Sequence, residues 1–318
     1  MKIVYLYPKT SFSRIYDADF LFGITLTVMR YLKGEEFTRS VVESFEAGSP
    51  PFLFSNCFVF NKIDSRKRIY FPKPKLPTDE KEIETIKEYS KTKEFKSLRY
   101  LDLETFSRLI KGEITIQDIF EIFVNSKEKL AQPQIREVSV PHVQINRLTN
   151  SSEEEHFYHT DDLFIDNGGL YFLFEGDFSL VEPVFNFLNH YGLGRDASTG
   201  RGQFSYEVDE IVLEEPSDAN AFINLSCYYP TADEIKYYQE HTKLLFYELE
   251  TKEGKIFSNN YSWNVFRKKP VSYFAAGSVF PIINGKKHYG SIKEVATADN
   301  ISIKFNGLSF PIKIKIRG

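Results

Sequence analysis

A chain of 318 residues, 42% hydrophobic and 26% charged, is long enough to bury a large core and to divide into two domains. Its net charge of −4, with a pI near 6.0, excludes capture of nucleic acid by a global positive field, so any polyanion site must be local or completed by partners. Two cysteines, Cys57 and Cys227, give neither a disulfide framework nor a metal-binding pattern; with no signal-peptide run and no stretch of ~20 apolar residues, a reducing cytoplasm and no membrane are expected.

In chain order, residues 2–8 read as a buried strand. Asp17 is a plausible N-cap for a helix over residues 18–32, whose apolar positions fall on one stripe, and Gly34 closes it. A short helix is expected over 36–47. Residues 52–60 read as one strand, and 69–71 as a second, ended by Pro72-Lys73-Pro74. From 78 to about 131 the pattern turns charged and helical, punctuated by Gly112, which predicts a helical insertion. Strands resume at 135–148, and a hydrophilic turn over 149–155 leads to 156–164 and then 170–175. A helix over 180–191, a glycine-rich loop and a strand over 203–213 follow. Without the insertion the order is βαββαβ, that of a ferredoxin-like domain.

Glu214 to Asp218 reads as a linker. Beyond it, strands are expected at 222–229, 243–250, 256–258, 271–275 and 278–283, with a turn or helix start at Thr231. Asn306-Gly307 is the strongest short hairpin signal in the chain, predicting strands over 301–305 and 308–316 on either side of it. Two segments are locally basic: 66–99, with eleven Lys/Arg against six Asp/Glu, and 301–318, with four basic residues and no acid. Either is equally readable as a solvated face.

The most informative stretch is Gly192-Leu-Gly-Arg-Asp-Ala-Ser-Thr-Gly-Arg-Gly202. Glycines permit positive φ and close approach of another chain; arginines, hydroxyls and backbone N–H groups bind phosphate oxygens. The spacing matches neither the P-loop nor the dinucleotide fingerprint, and a loop placed after a helix and before a strand has the wrong order for both. The alternative is an ordinary flexible turn. Metal chemistry has one candidate cluster, residues 153–162, but His156 and His159 are three apart on a strand and face opposite ways. Asp17 and Asp19 could be imagined at a metal site, although capping and the helix dipole explain them. Of the six histidines, His142 and His190 are the candidates for acid–base cleavage of RNA, against a structural role.

The loop, residues 192–204, resembles the glycine-rich loop of the CRISPR RAMP superfamily. Residues 50–58 with 70–75, His142 through Thr149, 225–231, and 267–280 resemble further elements of one branch, in matching order. By these the chain is identified as a member of the crRNA five-prime-handle-binding RAMP family, subunit four of the type III-A (Csm) effector complex. Ala276 stands where an acidic residue is common in that family.

The resemblance implies an α+β chain of two ferredoxin-like (RRM-like) domains, 1–214 and 215–318, without enzymatic activity or cofactor. It implies binding of the guide RNA's repeat-derived five-prime handle, contact with the large polymerase-like subunit and a backbone RAMP subunit, and indirect contact with target RNA through a thumb hairpin, for which residues 135–165 are the candidate. In that reading Arg195, Arg201, Ser198 and Thr199 contact phosphates. Gly192, Gly194, Gly200 and Gly202 admit the RNA backbone. His142, Asn146 and Arg147 add contacts, with Lys268 and Lys269 as weaker candidates. Arg195 and Arg201 are both expected at the surface, so that replacing them should spare folding. Alternatives are a repeat-RNA endoribonuclease of the same superfamily and a protein adaptor without RNA contact.

Overall fold

The computed structural model describes residues 1–64, 66–78, 86–125, 130–146, 151–254, 267–298 and 301–317. Strand β1 (Lys2–Pro8) lies inside the main sheet, and its run Ile3–Leu6 is buried on both faces. Helix α1 (Ala18–Lys33) starts at Asp17, whose carboxylate accepts from the Phe20 N–H at 2.7 Å. It ends at Gly34 with φ +88°, and α2 (Glu35–Glu46) follows at once.

The expected strand over 52–60 is two, β2 (Phe52–Phe54) and β3 (Phe58–Ile63). The break has a polar cause. Ser55 exchanges bonds with Leu173, while the Asn56 N–H turns to the Leu225 carbonyl, the Asn56 amide oxygen accepts from the Ala18 N–H, and the Cys57 N–H turns to the Tyr16 carbonyl. The chain leaves its ladder there to tie α1 and the C-terminal half to the sheet.

Strand β4 (Arg66–Pro72) pairs with β3. The insertion is helical, as expected, in α3 (Ile86–Ser97), α4 (Leu103–Ile110) and α5 (Ile116–Asn125), and it adds a short strand, β5 (Tyr100–Asp102), on the edge beside β4. Phe106 of α4 stacks on Phe71 of β4 at 4.4 Å, so the insertion shares the main core. Strands β6 (Ile135–Asn146) and β7 (Ser151–Ile165) form a long two-stranded hairpin. Of the turn expected over 149–155, residues 151–155 are strand, while 149 and 150 lie outside the described residues.

After β8 (Gly168–Gly176), α6 (Glu182–Tyr191) and β9 (Phe204–Glu210) close the N-terminal half. The sheet order is β5-β4-β3-β8-β1-β9, with β2 also on β8. These strands all pair antiparallel.

The C-terminal half holds β10 (Ala221–Asn224), α7 (Ala232–Glu240), β11 (Leu249–Lys252), β12 (Val271–Phe274), β13 (Val279–Pro281), β14 (Gly290–Ala298), β15 (Ile301–Leu308) and β16 (Pro311–Ile314). Thr231 and Glu234 make a reciprocal capping box at α7. A strand expected over 243–250 forms only from Leu249; the strand expected at 256–258 lies outside the described residues.

The hairpin expected at Asn306-Gly307 is not there. Strand β15 runs straight through it, paired with β14, and β16 joins a different sheet, β13-β10-β16. Asn306 is 2% exposed, and its N–H donates to Asp19 at 2.9 Å. Gly307 serves close approach: a Cβ there would lie 2.3 Å from the Tyr229 Cβ. Thus the dipeptide is selected by packing against α1 and the Tyr229 segment, not by turn geometry. Among the described residues no helix is long and apolar enough to cross a membrane.

One continuous core runs from Ile3 and Phe22 through Phe106 to Ile223, Phe310 and Ile312, so the two halves share buried side chains.

Candidate nucleic-acid interface

The glycine-rich loop leaves α6 at Gly192 with φ +96° and reaches β9 after a single 3-10 turn, Ala197–Thr199. It is a folded object. Leu193 is fully buried, its N–H bonds the Gly202 carbonyl at 2.9 Å, and the Gly202 N–H bonds the Ser11 carbonyl at 3.0 Å.

Three of the four glycines are dictated by protein neighbours. A Cβ on Gly202 would meet the Leu193 carbonyl oxygen at 2.0 Å, one on Gly194 the Tyr16 hydroxyl at 2.4 Å, and one on Gly192 the Arg201 carbonyl oxygen at 2.8 Å. Only Gly200 faces open space, at φ +91°. The expectation that all four glycines make room for RNA is thereby corrected: for Gly192, Gly194 and Gly202 the room is taken by the protein itself.

The two arginines separate. Arg195 is exposed, 57% at its side chain, with its neighbour Asp196 as an ion-pair partner at 3.3 Å. Arg201 is 16% exposed and turned inward, which corrects its expected surface position. Its Nη1 lies 3.0 Å from the carboxylate of Asp162 and donates to the Thr160 hydroxyl at 2.8 Å, and Nη2 donates to His142 Nε2 at 2.8 Å. Asp162 is 5% exposed and also accepts from the Ser11 hydroxyl at 2.7 Å. His142 stacks on Tyr158 at 5.1 Å. Arg201 therefore latches the loop onto the β6–β7 hairpin. A guanidinium suits this, since its planar fork meets several acceptors at once.

Ser198 is exposed; Thr199 is exposed as well, with its hydroxyl donating to the Asp196 carbonyl at 2.8 Å. Asn146 is placed only by its backbone, opposite Ser151 near the hairpin tip, and Arg147 lies outside the described residues. Lys268 and Lys269 sit in the C-terminal half, where their N–H groups bond the carbonyls of Gly254 and Val295. His190 is exposed in the last turn of α6.

Beside the loop lies a cleft of about 460 Å³, lined by Ser13, Arg14, Tyr16, Phe20, His159 to Asp161, Gly194 and Arg195. Phe20 stacks on Tyr16 at 4.6 Å, and the exposed Arg14 lies over the Phe20 ring at 5.3 Å. Tyr16 is fixed from below: its hydroxyl donates to the Leu193 carbonyl at 2.7 Å, and burial pushes that hydroxyl's pKa up to about 12. On the hairpin above, Phe157 and Tyr158 are 58% and 56% exposed. Sequence reasoning missed Ser13, Arg14, Tyr16 and Phe20 because the turn and first helix meet the loop only in the tertiary fold. The one available signal was Arg14 just ahead of a capped helix.

The position imagined for a metal is filled by an amine. The Lys252 ammonium lies 2.7 Å from both Asp17 and Asp19. Among the described residues no group of three or more His, Cys, Asp or Glu is placed to hold a metal ion.

Residues 217–314 match the family described as CRISPR Csm4 C-terminal domain. Over 325 aligned residues the chain is 25% identical to "CRISPR system Cms protein Csm4" of Thermococcus onnurineus (strain NA1), covering 98% of this chain and 96% of that protein. It superposes on a chain of "Crystal structure of Csm1-Csm4 cassette in complex with pppApA" with a TM-score of 0.63 and 20% identity, over 99% of this chain and 98% of that one. A chain of "Crystal structure of Csm3-Csm4 subcomplex in the type III-A CRISPR-Cas interference complex" superposes with the same TM-score at 17% identity, over 99% and 100%. At that identity the likeness is one of fold.

Proposed function

We propose that this chain is a Csm4-type protein, as the match of residues 217–314 and the similarity to a Csm4 along its full length support, and that it is a non-catalytic RNA-binding subunit of a cytoplasmic type III-A interference complex. It holds the five-prime handle of the guide RNA and joins the large polymerase-like subunit to a backbone RAMP subunit. The observation that carries this reading is the assembly of glycine loop, hairpin and cleft, joined by the bonds of Arg201 and Gly202. It presents exposed Arg195, Ser198, Thr199 and Gly200 beside Arg14 and exposed aromatic rings. A single strand is held by phosphate contacts with its bases against protein surfaces, and this surface offers both.

The ferredoxin-like reading of the first half is supported by its central strand order, β9-β1-β8-β3, with α1 after β1 and α6 after β8. In the second half β16-β10-β13 occupy the matching places, and Phe246, bridged to Val279, stands at the fourth. Between β13 and β16 the β14–β15 hairpin takes the position of a second helix. The non-catalytic reading is supported by His142, whose Nε2 is occupied by Arg201 and Thr160. Partner contact is supported by the relatives named together with Csm1 and Csm3.

The test is reconstitution with the large and backbone subunits and a guide RNA. Arg195→Ala is expected to weaken guide retention and to flatten its salt dependence by about one counterion. Metal-independent cleavage of repeat RNA by the chain, lost in His142→Ala or His190→Ala, would sink the reading. So would retention of the guide with no crosslink to residues 192–202.

A further inference from the structure

Within the surface that the handle-binding reading uses, the cleft between the Ser13–Phe20 segment and the glycine loop has a geometry of its own. Its floor is aromatic and rigid: Phe20 lies on Tyr16, and Tyr16 is pinned to the Leu193 carbonyl. Arg14 is exposed and lies over Phe20 at 5.3 Å, a cation–π contact, and a base enters on the ring when this exposed side chain swings outward to cover it. Arg195 stands at the other rim, and His159 and Asp161 of β7 form the opposite wall. Gly194 lets the loop pack directly on the Tyr16 hydroxyl, 2.4 Å from where a Cβ would lie, which fixes the loop against the floor. The volume, about 460 Å³, falls in the range of small-molecule sites.

We propose that this cleft is a slot for one unpaired nucleotide of a bound RNA strand. Its base stacks between the Phe20 ring and the Arg14 guanidinium, and its phosphate meets Arg195. Stacking between an aromatic ring and a guanidinium plane suits any base, because every base has a π face. The Asp161 carboxylate repels phosphate, which sets the polarity of the slot: phosphates run along the arginine rim and the base edge faces β7. The inference rests on the RNA-binding reading above and adds to it a defined place where the strand is unstacked.

The test uses the reconstituted complex with guide RNA carrying a single 4-thiouridine, moved through the handle one position at a time. One position is expected to crosslink to the 13–20 segment. Phe20→Leu, which keeps apolar volume but removes the ring face, should abolish that crosslink and weaken guide affinity about tenfold or more. Arg14→Ala should reduce both, with the melting temperature unchanged. Excess AMP should leave the crosslink intact; if AMP removes it, the slot takes a free mononucleotide and the inference is overturned. Crosslinks to 192–202 alone, with Phe20→Leu binding as the parent does, overturn the slot and leave the handle-binding reading standing. Crosslinks to neither segment overturn both.

Discussion

Arg195 and Arg201 stand six positions apart in one loop, and their surroundings give them different consequences. Removing Arg201 strands the Asp162 carboxylate, 6% exposed at its side chain, without its cation. Breaking a buried pair from one side costs about 3–5 kcal/mol. Arg201→Ala is therefore expected to lower the denaturation midpoint strongly, whereas Arg195→Ala, at an exposed site, stays within about 0.5 kcal/mol. Equal midpoints for the two variants in urea would contradict the latch. Lys73 offers a second residue-scale expectation. Burial, and secondarily the charge of Lys75, lowers its pKa to about 8 from 10.5. Its ammonium lies over the Phe95 ring and donates to the Phe95 carbonyl at 2.5 Å. Between pH 8 and 10.5 the unfolded chain holds a proton that the folded chain has released, so this residue makes stability rise with pH across that window. The parent should gain on Lys73→Met between pH 8 and 10 in chemical denaturation; parallel pH profiles would refute the assignment.

At the scale of elements, the glycines sort by what surrounds them. Gly307 lies in extended β15, and an added Cβ would press into Tyr229 and the Ser291 carbonyl. Overpacking of this kind costs about 1–3 kcal/mol, occasionally more. Gly200 has open space but φ +91°, so an alanine there meets only backbone strain, about 1–3 kcal/mol. Gly307→Ala is expected to loosen the β14–β15 hairpin, seen as faster amide exchange across residues 290–308. Gly200→Ala should leave that exchange untouched. The same contrast explains what the sequence made legible. Local signals held: Asp17 as a cap, the helices α1 and α6, the helical insertion, and the loop between α6 and β9. Signals that depend on tertiary neighbours misled. Asn306-Gly307 has the composition of a turn, yet it is strand, because Asp19 and Tyr229 supply partners from elsewhere. Arg201 has the composition of a phosphate ligand, yet acceptors on a hairpin some forty to sixty residues earlier in the chain take its donors. The cleft floor, from Ser13 to Phe20, carried no binding motif, only Arg14 ahead of the Asp17 cap.

For the whole molecule, the question is what makes two expected domains behave as one body. The shared core is one answer, and a polar junction is the other. Lys252 of the C-terminal half binds Asp17 and Asp19 at the start of α1, side chains 19%, 19% and 5% exposed. Asp19 also accepts from the Asn306 N–H, and Asn56 bonds Leu225. Burial alone would raise the Asp17 carboxyl, but the Lys252 ammonium outweighs it and holds the carboxyl below its ordinary range. For a carboxylate lowered in the folded state, the stabilisation is complete above the unfolded pKa, near 4, and is lost as pH falls through the folded one. The junction should therefore be intact at neutral pH and fail only on strong acidification. Lys252→Met keeps the stem's packing and leaves two carboxylates facing each other without a cation, a change of about 3–5 kcal/mol. Because Asp17 also caps the helix that carries Phe20, the loss should reach the cleft: in Lys252→Met the N-terminus of α1 exchanges its amides faster, and thermal unfolding moves down in temperature as a single transition followed equally by far- and near-ultraviolet circular dichroism. Two separated transitions in the parent protein would show that the halves unfold independently and that the junction does not couple them.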